Sequence, residues 1–356
     1  MTIKPVPAQE QGNIPSNPGF GAYFSDHMFV QSYTQGNGWG DAAIKKLEHF
    51  SIHPAAAVLH YGQEVFEGLK AYKRPDGGVN LFRPEENLRR FNESAVRVVM
   101  PEVDPAFHLQ ALKSLISLDK RWVPEETGSS LYIRPAMIAT SAKLGLGASA
   151  EYLHFIITGP VGPYFKGGFN PVSVYISDSI RRAVIGGIGE AKTGGNYVAS
   201  LYMSEKVAKL GYTQVLWLDA IHGKYVEEVG AMNICFVYEG SHIVTPKLSG
   251  SILAGITRDS VLKLAPTLGY EVSEELLDVN EILSDIKSGK ITEAFGCGTA
   301  AVISPVGKLA FKGEEYVIND NQAGTVAKRL YDELTGIQYG SKEDRFGWTQ
   351  DVGIAD

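Results

Sequence analysis

The sequence predicts a mixed α/β protein in two parts, and three observations carry that expectation. From about Phe20 onward, short strand-like runs alternate with longer runs of helical period. GPVGPYFKGGFNPV, residues 159–172, concentrates Gly, Pro and aromatic residues in a stretch that breaks any regular element. The 356 residues are enough for two cores, at roughly 100–200 residues per domain.

The elements follow in chain order. Residues 1–19 are rich in Pro, Gly and Asn and read as a flexible arm. An N-terminal α/β domain is expected over 20–160, with strands at Ala22–Tyr33, Leu81–Arg83, Leu131–Thr140 and Leu153–Gly159. Its helices are Pro84–Val99, with Leu88, Phe91, Ala95 and Val98 on one face, and Ala106–Arg121. Residues 161–173 form the interdomain loop. A C-terminal domain over 174–356 has strands at Val174–Ser177, Gln214–Asp219, Ile234–Tyr238 and His242–Thr245, and helices at Asn196–Leu210, Thr257–Leu268 and Ala323–Leu334.

The net charge of −7 leaves no excess of Lys and Arg to meet a phosphate backbone or an anionic membrane. Cys235 and Cys297 form no CxxC or zinc pattern. The N-terminus lacks an apolar signal core, and no apolar run approaches the roughly 18 residues that span a bilayer. A cytoplasmic protein with reduced thiols is the expectation. His49 and His53 are four apart, but Pro54 follows and no acidic partner completes a metal site.

The most unusual stretch is GGIGEAKTGGNY, residues 186–197, with Lys192 between two glycine groups. It can be a flexible surface loop with a solvated lysine, or a place where backbone approaches a ligand and a lysine is held. Residues 186–193 are one short of a phosphate-binding P-loop, and Ala191 stands where glycine is required. The dinucleotide fingerprint fails at its third glycine, where Lys192 stands.

EAKTGGNY followed in order by EEVGAMN, LAGITRD and GCGTA resembles the branched-chain aminotransferases, pyridoxal-phosphate enzymes of fold type IV. FSDHM, LHYGQEVFEGLKAY, LFRPEENLRRFNESA and LYIRPAMIATSAKLGLG agree in the first half, so the resemblance runs from about residue 20 to the end. It is nearest the variant found in eukaryotes and some bacteria. The resemblance implies two domains, the second with a barrel-like sheet, and pyridoxal 5′-phosphate in the cleft between them. It implies reversible ping-pong amino transfer between leucine, isoleucine or valine and 2-oxoglutarate. D-amino-acid aminotransferases and lyases of the same fold are the alternatives, and a passive cofactor-binding protein is the non-enzymatic one.

Residue by residue, Lys192 matches the family's Schiff-base lysine and Glu228 the carboxylate beside the ring nitrogen, with Glu227 one place early. Tyr197 matches the phenol on the ring oxygen. Arg90 matches the phosphate arginine, with Arg89 before it, while Ile256, Thr257 and Thr299 match further phosphate contacts. A helix opening at Ile256–Thr257 suits phosphate, because its first N–H groups point outward. Thr299 and Ala300 match the turn that meets the substrate carboxylate. Phe24, Tyr61, Phe66 and Tyr132 match the apolar wall of the substrate pocket, and Arg134 the cation for the distal carboxylate of 2-oxoglutarate or glutamate. Leu144 and Leu146 match loop residues that reach the partner's site, which implies a homodimer. Two departures stand out. Ala301 and Ser304 replace the redox CxxC of eukaryotic members, so thiol switching there is not expected. Ala231 replaces a threonine near the cofactor.

Overall fold

The computed structural model describes residues 1–163 and 169–353. Residues 164–168 of the expected interdomain loop, and 354–356, lie outside the described residues. The chain divides into two compact units. One comprises Met1–Tyr164, Ala191–Gly194 and Gly336–Asp356; the other comprises Phe165–Glu190 and Gly195–Thr335. Lys192 and the C-terminal segment thus group with the first unit, whereas the sequence alone places both in the second domain. Among the described residues no helix is long and apolar enough to cross a membrane.

The strands of the first half of the chain are β1 (Thr2–Ile3), β2 (His27–Thr34), β3 (Gly38–Lys46), β4 (Glu64–Phe66), β5 (Leu69–Lys73), β6 (Val79–Phe82), β7 (Ser130–Ala139) and β8 (Glu151–Val161). The helices between them are α1 (Ala57–Tyr61), α2 (Pro84–Arg97) and α3 (Pro105–Leu118). Then follow β9 (Val172–Ile176), α4 (Gly194–Lys209), β10 (Gln214–Leu218), β11 (Val226–Val229), β12 (Met232–Tyr238), β13 (His242–Pro246), α5 (Ile256–Leu264) and β14 (Glu271–Glu275). The chain ends with α6 (Val279–Lys287), β15 (Ile291–Gly298), β16 (Val302–Phe311), β17 (Glu314–Val317), α7 (Thr325–Gln338) and β18 (Thr349–Asp351).

In the first unit the strands form one sheet, ordered β1-β3-β2-β8-β7-β5-β6-β18, with β4 also on β7. Pro84 opens α2 and Glu85 and Glu86 occupy its first turn, which suits the positive end of the helix dipole. Asp104 caps α3 by accepting the Phe107 N–H at 2.9 Å. Leu112, Leu115 and Ile116 of α3 pack on Phe29, Ile44, Leu131 and Ile156 of the sheet.

The N-terminal residues are not a free arm. Thr2–Ile3 pairs in parallel with Ala43–Ile44. Val6 is buried and its N–H donates to His27 Nε2 at 2.8 Å. His27 Nδ1 lies 2.6 Å from Asp119 Oδ1, so the Nδ1–H tautomer satisfies both contacts. Polar composition hides this, because the segment docks with little more than a buried valine, a buried proline and a few hydrogen bonds.

His108 and His154 are buried edge-to-face in this unit, their rings 4.6 Å apart. Burial holds His108 well below its ordinary value, with His154 a lesser cause. Burial also pushes His154 down to about 4. The unfolded chain therefore binds these protons first as pH falls. Stability should be complete above about pH 6.5 and decline towards pH 4, and His154 alone accounts for about 3 kcal/mol. Urea unfolding midpoints measured across that window should fall with pH, and His154→Gln should flatten part of the slope.

In the second unit β9, β16, β15, β12, β11 and β10 pair in sequence, and β11–β12 pairing closes them into a six-stranded ring. β13 and β14 extend from β12, and β17 from β16. Val174, Leu216, Phe236 and Leu309 share a core with Ile282 and Leu283 of α6. The Asp278 side chain caps α6 through the Asn280 N–H. β15 and β16 are not evident in the sequence, since Gly296, Gly298 and Pro305 read as breakers. Pro305 stands beside a register shift at Val306–Lys308 against β9, where a missing N–H is tolerated.

Candidate functional site

In the first unit, four of the singled-out residues converge. Phe66 ends β4, and Lys192 Nζ lies 5.0 Å from its ring centroid. Arg134 and Tyr132 are both on β7; the Arg134 guanidinium lies 4.6 Å from the Phe66 ring, and its Nη2 donates to the Tyr132 hydroxyl at 3.1 Å. The result is an aromatic wall with one cation and one amine against it. Phe20, which the sequence does not single out, adds its ring to Tyr132 at 5.1 Å. Gly159 pairs with Tyr132 across the sheet, and a Cβ there would sit 3.4 Å from the Phe24 Cα and clash with the Tyr23 carbonyl. Phe24 therefore lies over the strand next to Tyr132. Gly68 leaves space in the same way, since a Cβ would overlap the Tyr132 hydroxyl.

Tyr61, Leu144 and Leu146 form a separate group. The Tyr61 hydroxyl donates to the Leu144 carbonyl. Leu144 and Leu146 are 64% and 84% exposed.

Arg90 is buried on α2 and pairs bidentately with Glu67: Nε to Oε1 at 2.7 Å and Nη2 to Oε2 at 3.0 Å. Asn87 and the Gly68 N–H also donate to that carboxylate. Burial raises the Glu67 pKa, but Arg90, Lys192 and Asn87 outweigh it and hold the carboxyl below its ordinary value. Glu67 is thus a buried anion shared electrostatically by Arg90 and Lys192, and the sequence does not reveal it. It lies in the two-residue link between β4 and β5, and no local pattern marks it. Arg89 is exposed and pairs with Glu86 and Glu93 on its own helix, which distinguishes it from Arg90.

In the second unit Glu228 is buried on β11. Its Oε1 accepts the Leu253 N–H at 2.8 Å, and Arg182 Nε stands 3.3 Å from Oε2 as an ion pair without hydrogen-bond alignment. Glu227 accepts instead from the Ser251 hydroxyl, and burial raises its pKa. The strand's period of two separates these neighbours. Asn233 faces Glu228 across β11–β12 and donates to the Leu253 carbonyl at 2.9 Å. The two side chains thereby fix the loop that leads into α5. Gly255, at the N-cap of α5, has no side chain to cap it, and Ile256 and Thr257 open the helix. That leaves its end chemically suited to an anion.

Thr299 and Ala300 form the turn between β15 and β16. The pairing of Asn233 with Cys297 puts this turn at the same end of the ring as the β11–β12 turn that holds Ala231. Tyr197 is half-buried on the first turn of α4. The residues fit pyridoxal phosphate by their chemistry: an amine at Lys192, a buried carboxylate at Glu228, an uncapped helix start and threonine hydroxyls. Cys235 and Cys297 are buried on neighbouring strands as free thiols.

The amino-transferase class IV family pattern matches residues 64–309. A Staphylococcus aureus (strain N315) protein named "Probable branched-chain-amino-acid aminotransferase" is 52% identical over 334 residues, 94% of this chain and 93% of its own. Branched-chain-amino-acid transaminase 1 of Bacillus subtilis (strain 168) is 49% identical over 339 residues, covering 95% of each chain. The crystal structure of the Escherichia coli branched-chain amino acid aminotransferase superposes with a TM-score of 0.75 at 28% identity, over 91% of this chain and 99% of that one. With a family pattern that spans most of its length and relatives at half identity, the chain belongs to the class IV aminotransferases, a family of pyridoxal-phosphate enzymes.

Proposed function

We propose that this protein transfers amino groups between leucine, isoleucine or valine and 2-oxoglutarate, using pyridoxal phosphate linked to Lys192. The observation that carries the reading is the Phe66–Tyr132 wall with Arg134 and Lys192 against the same Phe66 ring. A wall of this kind accepts an aliphatic side chain, which has no group to hydrogen-bond. Aspartate is disfavoured, because its short chain leaves a desolvated charge without a partner. Glutamate is long enough to bring its distal carboxylate to Arg134.

Bound pyridoxal phosphate would supply an aldehyde for the amino group and a ring that accepts the electron pair released at Cα. The Lys192 amine would take the proton from Cα and return it at the end of each half-reaction. Glu228 would keep a proton on the ring nitrogen, and the Tyr197 phenol would meet the ring oxygen. Arg90, the start of α5 at Ile256 and Thr257, and Thr299 would hold the phosphate. Thr299 and Ala300 would orient the substrate carboxylate. The exposed Leu144 and Leu146 support a homodimer, in which a second copy covers them.

Substrate choice is tested by Arg134→Met. Single-turnover absorbance of the cofactor should show the 2-oxoglutarate half-reaction slowed about tenfold or more, since a charge-assisted contact is worth about 1.5–3 kcal/mol. The leucine half-reaction should change by only a few-fold. Equal losses would mean that Arg134 supports the fold instead, and turnover confined to D-amino acids would overturn the reading.

A further inference from the structure

Lys192 is held in place by contacts that no sequence motif reveals. Its peptide is engaged on both sides. The N–H donates to Ser94 Oγ at 2.9 Å, and the carbonyl accepts the Phe66 N–H at 3.0 Å. The next residues continue along β4: Thr193 Oγ1 donates to the Glu64 carbonyl at 2.7 Å, and the Gly194 N–H donates to the Glu64 carboxylate. Residues 192–194 therefore bond to Glu64 and Phe66 through one backbone pair and two contacts that involve side chains.

Ser94 is almost fully buried, on the interior of α2. Serine is an indifferent helix former, and inside a helix its hydroxyl commonly bonds a carbonyl of the preceding turn. Here the hydroxyl accepts from a residue 98 positions away. It stands one helical turn beyond Arg90, and Glu67, next to Phe66, grips Arg90. One helix thus carries both a cation and the support for the lysine backbone. A Cβ on Gly194 would meet the Glu64 carboxylate oxygen, so a side chain there would displace that contact.

We propose that Ser94, together with Glu64, is a positioning residue for the reacting amine: the pair fixes the backbone of residues 192–194 so that the lysine side chain starts from a set point. This rests on the reading of Lys192 as the amine that binds the cofactor. A lysine has four rotatable bonds, and it can be aimed only if its Cα is held. The step it serves is condensation. The amine nitrogen forms a C=N bond to the aldehyde carbon, and the aldehyde oxygen leaves as water with two protons from the amine.

The test separates attachment from non-covalent binding. Protein stripped of cofactor is mixed with pyridoxal phosphate, and the rate of covalent attachment is followed by visible absorbance. Affinity for 4-deoxypyridoxine phosphate, which has no aldehyde, is measured alongside. In Ser94→Ala and in Glu64→Ala the attachment rate should fall about tenfold, while the analogue's affinity stays within about twofold. Glu64→Gln should recover most of the rate, because its amide oxygen can still accept the Gly194 N–H. Attachment at the original rate in both alanine variants, or a parallel loss of analogue affinity, would overturn the proposal. Should Ser94→Ala fail to fold, the Glu64 pair decides on the same readouts. No attachment in the unchanged protein, or attachment mapped to another lysine after borohydride reduction, would instead remove the reading of Lys192 itself.

Discussion

Lys192→Ala should abolish turnover, lowering it by about four orders of magnitude or more, and leave a folded protein. General acid–base catalysis alone is worth about 10²–10⁴-fold, and this amine is also the proposed nucleophile. The fold should survive because the bonds that hold the segment are to the backbone: Ser94 to the N–H, Phe66 to the carbonyl. The contact of Nζ with the Phe66 ring and its electrostatic share in Glu67 are lost. Thermal unfolding should therefore shift by a few degrees at most, and borohydride reduction followed by peptide mapping should no longer label this position. Residual turnover within tenfold of the original would mean that another group moves the proton.

Glu228→Gln should slow the chemical step about 10²–10³-fold, the range seen when one group that stabilises developing charge is removed. An amide carries no charge with which to hold a proton on the cofactor's ring nitrogen. Its consequences within the protein are legible too. The carboxylate serves Leu253 with one oxygen and Arg182 with the other. Glutamine can still accept the Leu253 N–H with its one carbonyl oxygen, but the buried Arg182 loses the charge beside it and keeps Glu227 as its other carboxylate neighbour. Some loss of stability should accompany the kinetic effect, while Arg90 and the α5 start should keep cofactor retention within a few-fold. Pre-steady-state rates with leucine, set beside dialysis of the cofactor, distinguish the two effects. Near-normal rates would assign the role elsewhere, and Glu227, bonded to Ser251, is the neighbour to test next.

What the sequence discloses follows from how local each signal is. Lys192 stands out because glycines flank it, and helix α2 because Pro84, two acidic residues and an apolar stripe agree. Glu67, Ser94 and Glu64 do not stand out. Each is an ordinary residue type whose role exists only once strand, helix and lysine segment meet. The docking of Thr2–Val6 is hidden for a related reason, since pairing to β3 leaves no trace in composition. The choice between Glu227 and Glu228 is half legible. Strand period says that they point opposite ways, but only the loop at Ser251–Leu253 says which meets which donor.

The late strand β18 has a consequence for the nascent chain. It pairs with β6, and its Asp351 forms an ion pair with Arg74 at 2.9 Å. Ribosomal synthesis runs from the N-terminus, so the β6 edge is made early and meets its neighbour only when about 270 further residues have been added. For that interval an unfinished sheet edge faces solvent or a chaperone, open to pairing with another emerging copy. Translation speed through the second unit thus sets how long the first stays exposed, and loss of the last strand would make that exposure permanent.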